Sequence, residues 1–174
     1  MPATRTFLLI IAAILVVGGG CLIGLNSLYR DVSEPPTWER IERGINKAHP
    51  GLPQISTAEL AKQIESGIRP ILLDCRNAEE FAVSHLVGAV HAETPEDAFA
   101  FASNPDAQIV VYCSVGVRSA DLVAVLVDAG YTDVHNLAGS IFQWSNENRP
   151  LVDGDGASTT EVHPFSVYWG TLLN

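Results

Sequence analysis

The sequence is poor in positive charge and in cysteine. Ten Lys and Arg stand against twenty Asp and Glu in 174 residues, a formal net charge of −10. Arg5 and Arg30 flank an apolar N-terminal run; without them the remainder carries 8 basic against the same 20 acidic residues, or −12. That balance excludes nucleic acid as a partner, because neutralising phosphates needs Lys and Arg. It also provides no general field to steer anionic substrates, so an anion site has to be local. The three cysteines, Cys21, Cys75 and Cys113, are too few for a disulfide framework, and no Cys-x-x-Cys pair gives the spacing of a zinc or thioredoxin-like site. The Asp153-Gly154-Asp155-Gly156 cluster lacks the spacing of a calcium loop and reads as a polar turn. Neither a metal nor a cofactor is expected. Charged residues make up only 17% but hydrophobic ones 47%, which excludes wholesale disorder.

The longest uncharged run, Phe7 to Leu25, spans about nineteen residues, enough to cross a bilayer core as a helix. Gly18-Gly19-Gly20 would weaken a soluble helix, and no polar stripe marks a solvent face. A cleaved signal peptide is the rival reading; Arg5 supplies a short positive region, but a small-x-small cleavage site is missing. Gly20-Cys21 hints at a lipoprotein signal, with Gly18 where a large aliphatic residue is usual. Residues 1–30 are therefore read as an uncleaved transmembrane anchor. The slight charge asymmetry puts the N-terminus in the cytoplasm and the rest on the outer, periplasmic face of a bacterial inner membrane. Secretion after signal cleavage is the alternative.

Residues 31–53 read as a juxtamembrane connector. Pro35-Pro36 interrupts any continuing helix, and Trp38, Ile41 and Ile45 share one face of a short helix that rests on the domain or the bilayer. The domain proper spans 54–150. Ser56-Thr57-Ala58-Glu59 is a capping box for a helix to about Ser66. Ile71-Leu72-Leu73 is a short strand, Asn77 caps a turn of helix, Ala89-Val90 is a brief strand, and Thr94-Pro95 opens another helix. Ile109-Val110-Val111-Tyr112 reads as the buried central strand of a parallel sheet. A helix from Ser119 to Ala129, with Leu122, Val123, Leu126 and Val127 on one face, precedes a strand over Val134–Leu137 and a helix over Gly139–Asn146. This alternation predicts an α/β fold, a parallel central sheet with helices on both faces. Residues 151–174 form a C-terminal extension whose Phe165, Tyr168 and Trp169 argue for packing back on the domain.

The chemistry concentrates after the central strand, in Cys113-Ser114-Val115-Gly116-Val117-Arg118-Ser119. Ligands gather at the carboxyl ends of parallel strands. A loop entering a helix there turns backbone N–H groups toward one point and stabilises a thiolate at its start. Gly116 lets the loop curl, and Arg118 adds a planar cationic fork suited to an oxyanion. The same position also suits a buried, inert cysteine.

These segments resemble the rhodanese family over most of residues 54–150. Ile55-Ser56-x-x-Glu59-Leu60 is similar to its opening, and Leu73-Asp74-Cys75-Arg76 to its Asp-Val-Arg strand end. Glu79-Glu80-Phe81, His85 and Gly88-Ala89 resemble its Glu-[Tyr/Phe]-x-x-x-His-Ile-x-Gly-Ala signature. Cys113-x-x-Gly116-x-Arg118-Ser119 resembles its active-site loop, and Gly130-Tyr131, Val134 and Leu137-Ala138-Gly139-Ser140 its closing motif. The resemblance implies a sulfurtransferase or sulfur carrier. Cys113 takes sulfur from a small sulfur-containing anion such as thiosulfate, becomes a persulfide, and yields it to a thiophilic acceptor, a small molecule or a protein thiol. Ser114, Val115, Gly116, Val117, Arg118 and Ser119 are then the anion-binding loop, with Arg118 on the donor's charged end. Asp74, Arg76 and His85 are supporting residues, and Glu79 and Glu80 belong to a solvated helix start. Cys75 replaces the family's usual Val and reads as core, or alternatively as a resolving thiol; Cys21 reads as inert. Ser114 stands where thiosulfate-using relatives often carry a basic residue, and Ser140 replaces the second Gly of the closing motif, which leaves the donor open. Competing readings are a non-catalytic partner-binding module, a thiol redox or sulfane-sulfur sensor, and a phosphatase. The last is disfavoured, since only four residues separate Cys113 from Arg118.

Overall fold

The computed structural model describes residues 34–174. The run Phe7–Leu25 and Cys21 lie outside the described residues. Among those described, no helix is long and apolar enough to cross a membrane. Pro36–Asn174 form one compact unit.

Its elements follow in the order α1 (Trp38–Ala48), β1 (Gln54–Ile55), α2 (Thr57–Glu65), β2 (Ile71–Asp74), α3 (Ala78–Val83), β3 (His85–Leu86), β4 (Val90–His91), α4 (Pro95–Phe101), β5 (Ile109–Tyr112), α5 (Val117–Asp128), β6 (Val134–Leu137), α6 (Ser140–Asn146), β7 (Leu151–Val152), β8 (Ser158–Thr159) and α7 (Val167–Gly170). The main sheet has the order β1-β6-β5-β2-β4 and every pairing is parallel. β5 sits at its centre, and all four of its residues are buried. This is the α/β architecture expected from the alternation of elements.

Helix starts are set by side chains. Ser56, Asn77 and Thr94 each close a capping box with Glu59, Glu80 and Asp97, which satisfies orphan amide donors at both ends of each box. α5 begins at Val117, two residues earlier than its sequence pattern suggests. Gly116 has φ +102°, a left-handed turn open to glycine, and it swings the chain directly from the cysteine loop into the helix. Arg118 therefore stands in the first helical turn and not in the loop. Val127, expected on the apolar face of α5, is 40% exposed.

Side-chain alternation along β5 divides the core in two. Val110 and Tyr112 point into a cluster with Leu60 of α2, Ala120 of α5 and Ile141 and Phe142 of α6. Ile109 and Val111 point the other way, toward Ala98 of α4 and Leu122, Val123 and Leu126 of α5. The period of two then assigns Cys113 to the second face, where it is buried.

α1 belongs to this core. Ile41 and Ile45 are buried in the first cluster, and His49 Nε2 lies 2.8 Å from Asp121 of α5. The C-terminal residues supply β7 and β8, which form a three-stranded antiparallel sheet with β3 in the order β3-β7-β8. β7 and β8 are two residues each and stand in no apolar run that would mark them in the sequence, unlike the equally short β4, which meets the strand expected at Ala89-Val90. Leu151 and Leu172 are buried in the first cluster, and the Leu172 carbonyl accepts from Asn146 Nδ2 at 2.7 Å.

Candidate active site

Cys113 is the first residue past the C-terminal end of β5, and it is 1% exposed. α6 fixes the loop that follows. The Ile141 and Phe142 amides at the start of α6 donate to the carbonyls of Cys113 and Ser114 at 3.2 and 3.1 Å. The Ser140 hydroxyl accepts the Cys113 amide at 3.1 Å and donates to the Leu137 carbonyl, also at 3.1 Å. Ser140 does this from φ +51°, a conformation uncommon for a residue with a Cβ. Its replacement of glycine is thus a hydrogen bond gained at a strained backbone position.

Around the sulfur, the Gly116 amide donates to Sγ at 3.2 Å. Ser119 Oγ lies 3.5 Å from Sγ and 2.7 Å from Asn136 Oδ1, and its single proton serves one or the other. Asn136 Nδ2 in turn donates to the Gly116 carbonyl at 3.2 Å, so β6 braces the turn that presents the Gly116 amide. Burial pushes the Cys113 thiol up. A hydrogen bond from Cys75, the Arg118 charge and the bonds from Ser119 outweigh it and hold the thiol well below its usual value. These contacts favour the thiolate, the nucleophilic form of the side chain.

Arg118 is not a free fork. Its Nη1 and Nη2 each donate to a Glu80 carboxylate oxygen at 2.8 Å, and Nη2 also reaches Ser114 Oγ at 2.9 Å. Glu80, expected on a solvated helix start, is fully buried; the capping box of α3 turns it inward, where Ser114 Oγ also donates to it at 2.9 Å. Burial raises the Glu80 carboxyl, but Arg118 and Ser114 more than compensate and keep it below the usual carboxylate range. Of the remaining loop residues, Val115 is buried in the first cluster and Val117 is 42% exposed.

Asp74, Arg76 and His85 lie behind the loop. Arg76 and Asp74 are fully buried and paired, with Nε–Oδ1 2.9 Å and Nη2–Oδ2 2.6 Å, and Arg76 also donates to the Ser84 carbonyl. His91 Nε2 lies 2.7 Å from the Arg76 carbonyl. His85 stacks on Phe81 at 3.9 Å between centroids, and its Nδ1 lies 3.1 Å from the Phe81 carbonyl. These residues tie α3, β3 and β4 to the end of β2.

Cys113 lines a small cleft of about 130 Å³ together with Ser114, Val115, Val117 and Arg118 and, from the C-terminal segment, Phe165 and Trp169. The Phe165 ring sits 4.8 Å from the Arg118 guanidinium carbon. Glu80, Asn136, Ser140, Phe165 and Trp169 were not singled out as site residues by sequence reasoning. Glu80 and Ser140 stood within the family-like motifs and Phe165 and Trp169 in the aromatic C-terminal segment, but nothing in the sequence marked Asn136. Among the described residues no cluster of His, Cys, Asp or Glu suits a metal ion.

Residues 56–147 match the family described as "Rhodanese-like domain". The chain is 33% identical over 94 residues to "Thiosulfate sulfurtransferase GlpE" of Pseudomonas putida, covering 53% of this chain and 82% of that protein. It is 32% identical over 99 residues to "Probable adenylyltransferase/sulfurtransferase MoeZ" of Mycobacterium tuberculosis, where the match covers 55% of this chain and only 25% of the relative. Among solved structures, a rhodanese-like domain from Anabaena superposes with a TM-score of 0.53 at 26% identity, covering 58% of this chain and 79% of that one.

Proposed function

The chain belongs to the rhodanese-like domain family, and from that premise we propose that it moves sulfane sulfur through a persulfide on Cys113. The observation that carries this reading is the thiol itself: a buried cysteine at the end of the central strand, held well below its usual value and lining a small cleft of about 130 Å³. Cys113 attacks the outer sulfur of a small sulfur-containing anion, and the bond between that sulfur and the rest of the donor breaks. The terminal sulfur of the new persulfide sits in the cleft, near the Gly116 amide and the Arg118 charge. A thiophilic acceptor then removes it and restores the thiolate, in two covalent half-reactions. Sulfurtransferase relatives at about this distance support the class of reaction. A partner-binding module would have no use for a thiol tuned in this way. The cleft also disfavours phosphoryl chemistry, because its one arginine is already held by Glu80.

The proposal includes residues 1–30 as an anchor that leaves the domain on the outer face of a bacterial inner membrane, supported by the uncharged run Phe7–Leu25 and the flanking arginines.

Mass spectrometry of the purified protein after incubation with thiosulfate, polysulfide or mercaptopyruvate tests the reaction. The wild type gains the mass of one sulfur on Cys113, and Cys113→Ser gains none and loses transfer activity while melting at an unchanged temperature. Transfer by Cys113→Ser near the wild-type rate refutes the mechanism.

A further inference from the structure

A second thiol lies beside the first. β2 and β5 pair in parallel with Asp74 opposite Tyr112, and the Cys75 amide continues the ladder by donating to the Tyr112 carbonyl at 3.0 Å. Cys75 and Cys113 therefore leave neighbouring strands at the same level. Both thiols are free, both are buried, and both belong to the core cluster on the α4 and α5 side of the sheet. Adjacent strands hold such residues about 5 Å apart at Cα, within the span of a disulfide. The Cys75 thiol has one proton, which lies between the Tyr112 carbonyl, 3.3 Å from its sulfur, and Cys113.

The place of Cys75 matters. Cys75 takes no part in the wall of the cleft that Cys113 lines. It meets Cys113 within the core cluster that the two residues share, while a transferred sulfur occupies the cleft. A thiolate that attacks the inner sulfur of a persulfide displaces the outer one, and Cys75 is packed against that inner sulfur without competing for the cleft.

Resting on the sulfur-carrier reading above, we propose that Cys75 is a resolving thiol that discharges the Cys113 persulfide as hydrosulfide. Cys75 Sγ bonds to Cys113 Sγ, and the bond from Cys113 Sγ to the terminal sulfur breaks. The terminal sulfur leaves with that electron pair and with the proton Cys75 held. The persulfide anion and the thiol become a Cys75–Cys113 disulfide and HS⁻; the two cysteine sulfurs are oxidised and the transferred sulfur is reduced. A dithiol reductant returns the pair to two thiols and is itself oxidised to a disulfide. The order of events is built into the pair. The hydrogen bond with Cys113, then burial, hold Cys75 as a thiol in the resting site. Loading moves the negative charge of Cys113 one atom outward, away from Cys75, and so favours resolution after loading.

The test uses the full chain, with Cys75→Val and, because Val removes the bond to the Tyr112 carbonyl, also Cys75→Ser. Each protein is loaded with thiosulfate or polysulfide at mildly alkaline pH, which favours the Cys113 thiolate also where the bond from Cys75 is lost, freed of donor, and followed by intact mass and by released sulfide. The wild type should pass from one added sulfur to the loss of two hydrogens, releasing one sulfide per chain. Both variants should keep the added sulfur until an external thiol is supplied. A wild-type persulfide as long-lived as that of the variants overturns the inference and leaves the sulfur-carrier reading standing. No added sulfur and no released sulfide in any of the three proteins overturns that reading and this inference with it.

Discussion

The charge of Arg118 reaches Cys113 while its hydrogen bonds go to Glu80 and Ser114. This division predicts how Arg118→Ala behaves. Removing the cation raises the Cys113 thiol, so the rate of Cys113 alkylation should shift to higher pH and fall at neutral pH. The loss should be similar with thiosulfate and with an uncharged organic polysulfane, since it acts through the thiolate and not through the donor. Leaving Glu80 buried without its partner should also cost about 1–3 kcal/mol of stability, less than for a fully enclosed pair because the Arg118 side chain is 36% exposed. A defect confined to thiosulfate would mean that the guanidinium leaves Glu80 to hold the sulfonate. The pair has its own pH dependence. Its carboxyl lies below the ordinary value in the fold, so the stabilisation is complete above the unfolded carboxylate value and is lost as the pH falls through the folded one. Glu80→Gln should weaken the protein at neutral pH and flatten its acid unfolding, measured by thermal melts across that range. The place of Cys113 past the central strand and the turn at Gly116 were legible from the sequence because the end of an apolar strand and a glycine at a tight turn each answer to a local rule. Glu80 and Ser140 were not. Their roles depend on groups 38 and 27 positions away along the chain, and no local pattern encodes those distances.

At the scale of elements, the helices with side-chain caps and the four-residue strands β2, β5 and β6 stood out in the sequence, since each combines a boundary signal with an apolar run. The start of α5 was displaced because the left-handed Gly116 opens a helix without any side-chain cap. Two appended elements shape the site from outside the central sheet. Ile45 of α1 packs against the loop, and a Cβ added at Gly116 would come within 3.4 Å of its Cδ1. From the other side, Phe165 and Trp169 wall the cleft over Cys113. The second contact predicts a gain of access. Phe165→Ala removes the ring resting on Arg118 and should speed alkylation of Cys113 severalfold at fixed pH, with little change in melting temperature because Phe165 is 48% exposed. An unchanged rate would show that reagents reach the sulfur by another route.

For the whole molecule, the shortage of positive charge and the site's design agree. Arg76 and Arg118 are both bound to buried carboxylates, Asp74 and Glu80, so neither lends a free cation to the surface. The sequence after Arg30 carries a net −12, 8 basic against 20 acidic residues, and such a charge gives an anionic membrane nothing to hold. Any attachment to a bilayer must then come from the apolar N-terminal run. That run has the length of a span, Arg5 and the terminal amine lie on one side of it, and Arg30 on the other is offset by Asp31 and Glu34. The protein should therefore sediment with membranes and resist extraction by high salt, which strips proteins held by charge, while detergent releases it. Protease added to intact spheroplasts should remove the domain while cytoplasmic markers survive. Protection of the domain until lysis would reverse the orientation. A shortened, soluble protein in the periplasmic fraction would show instead that the N-terminus is a signal removed after export.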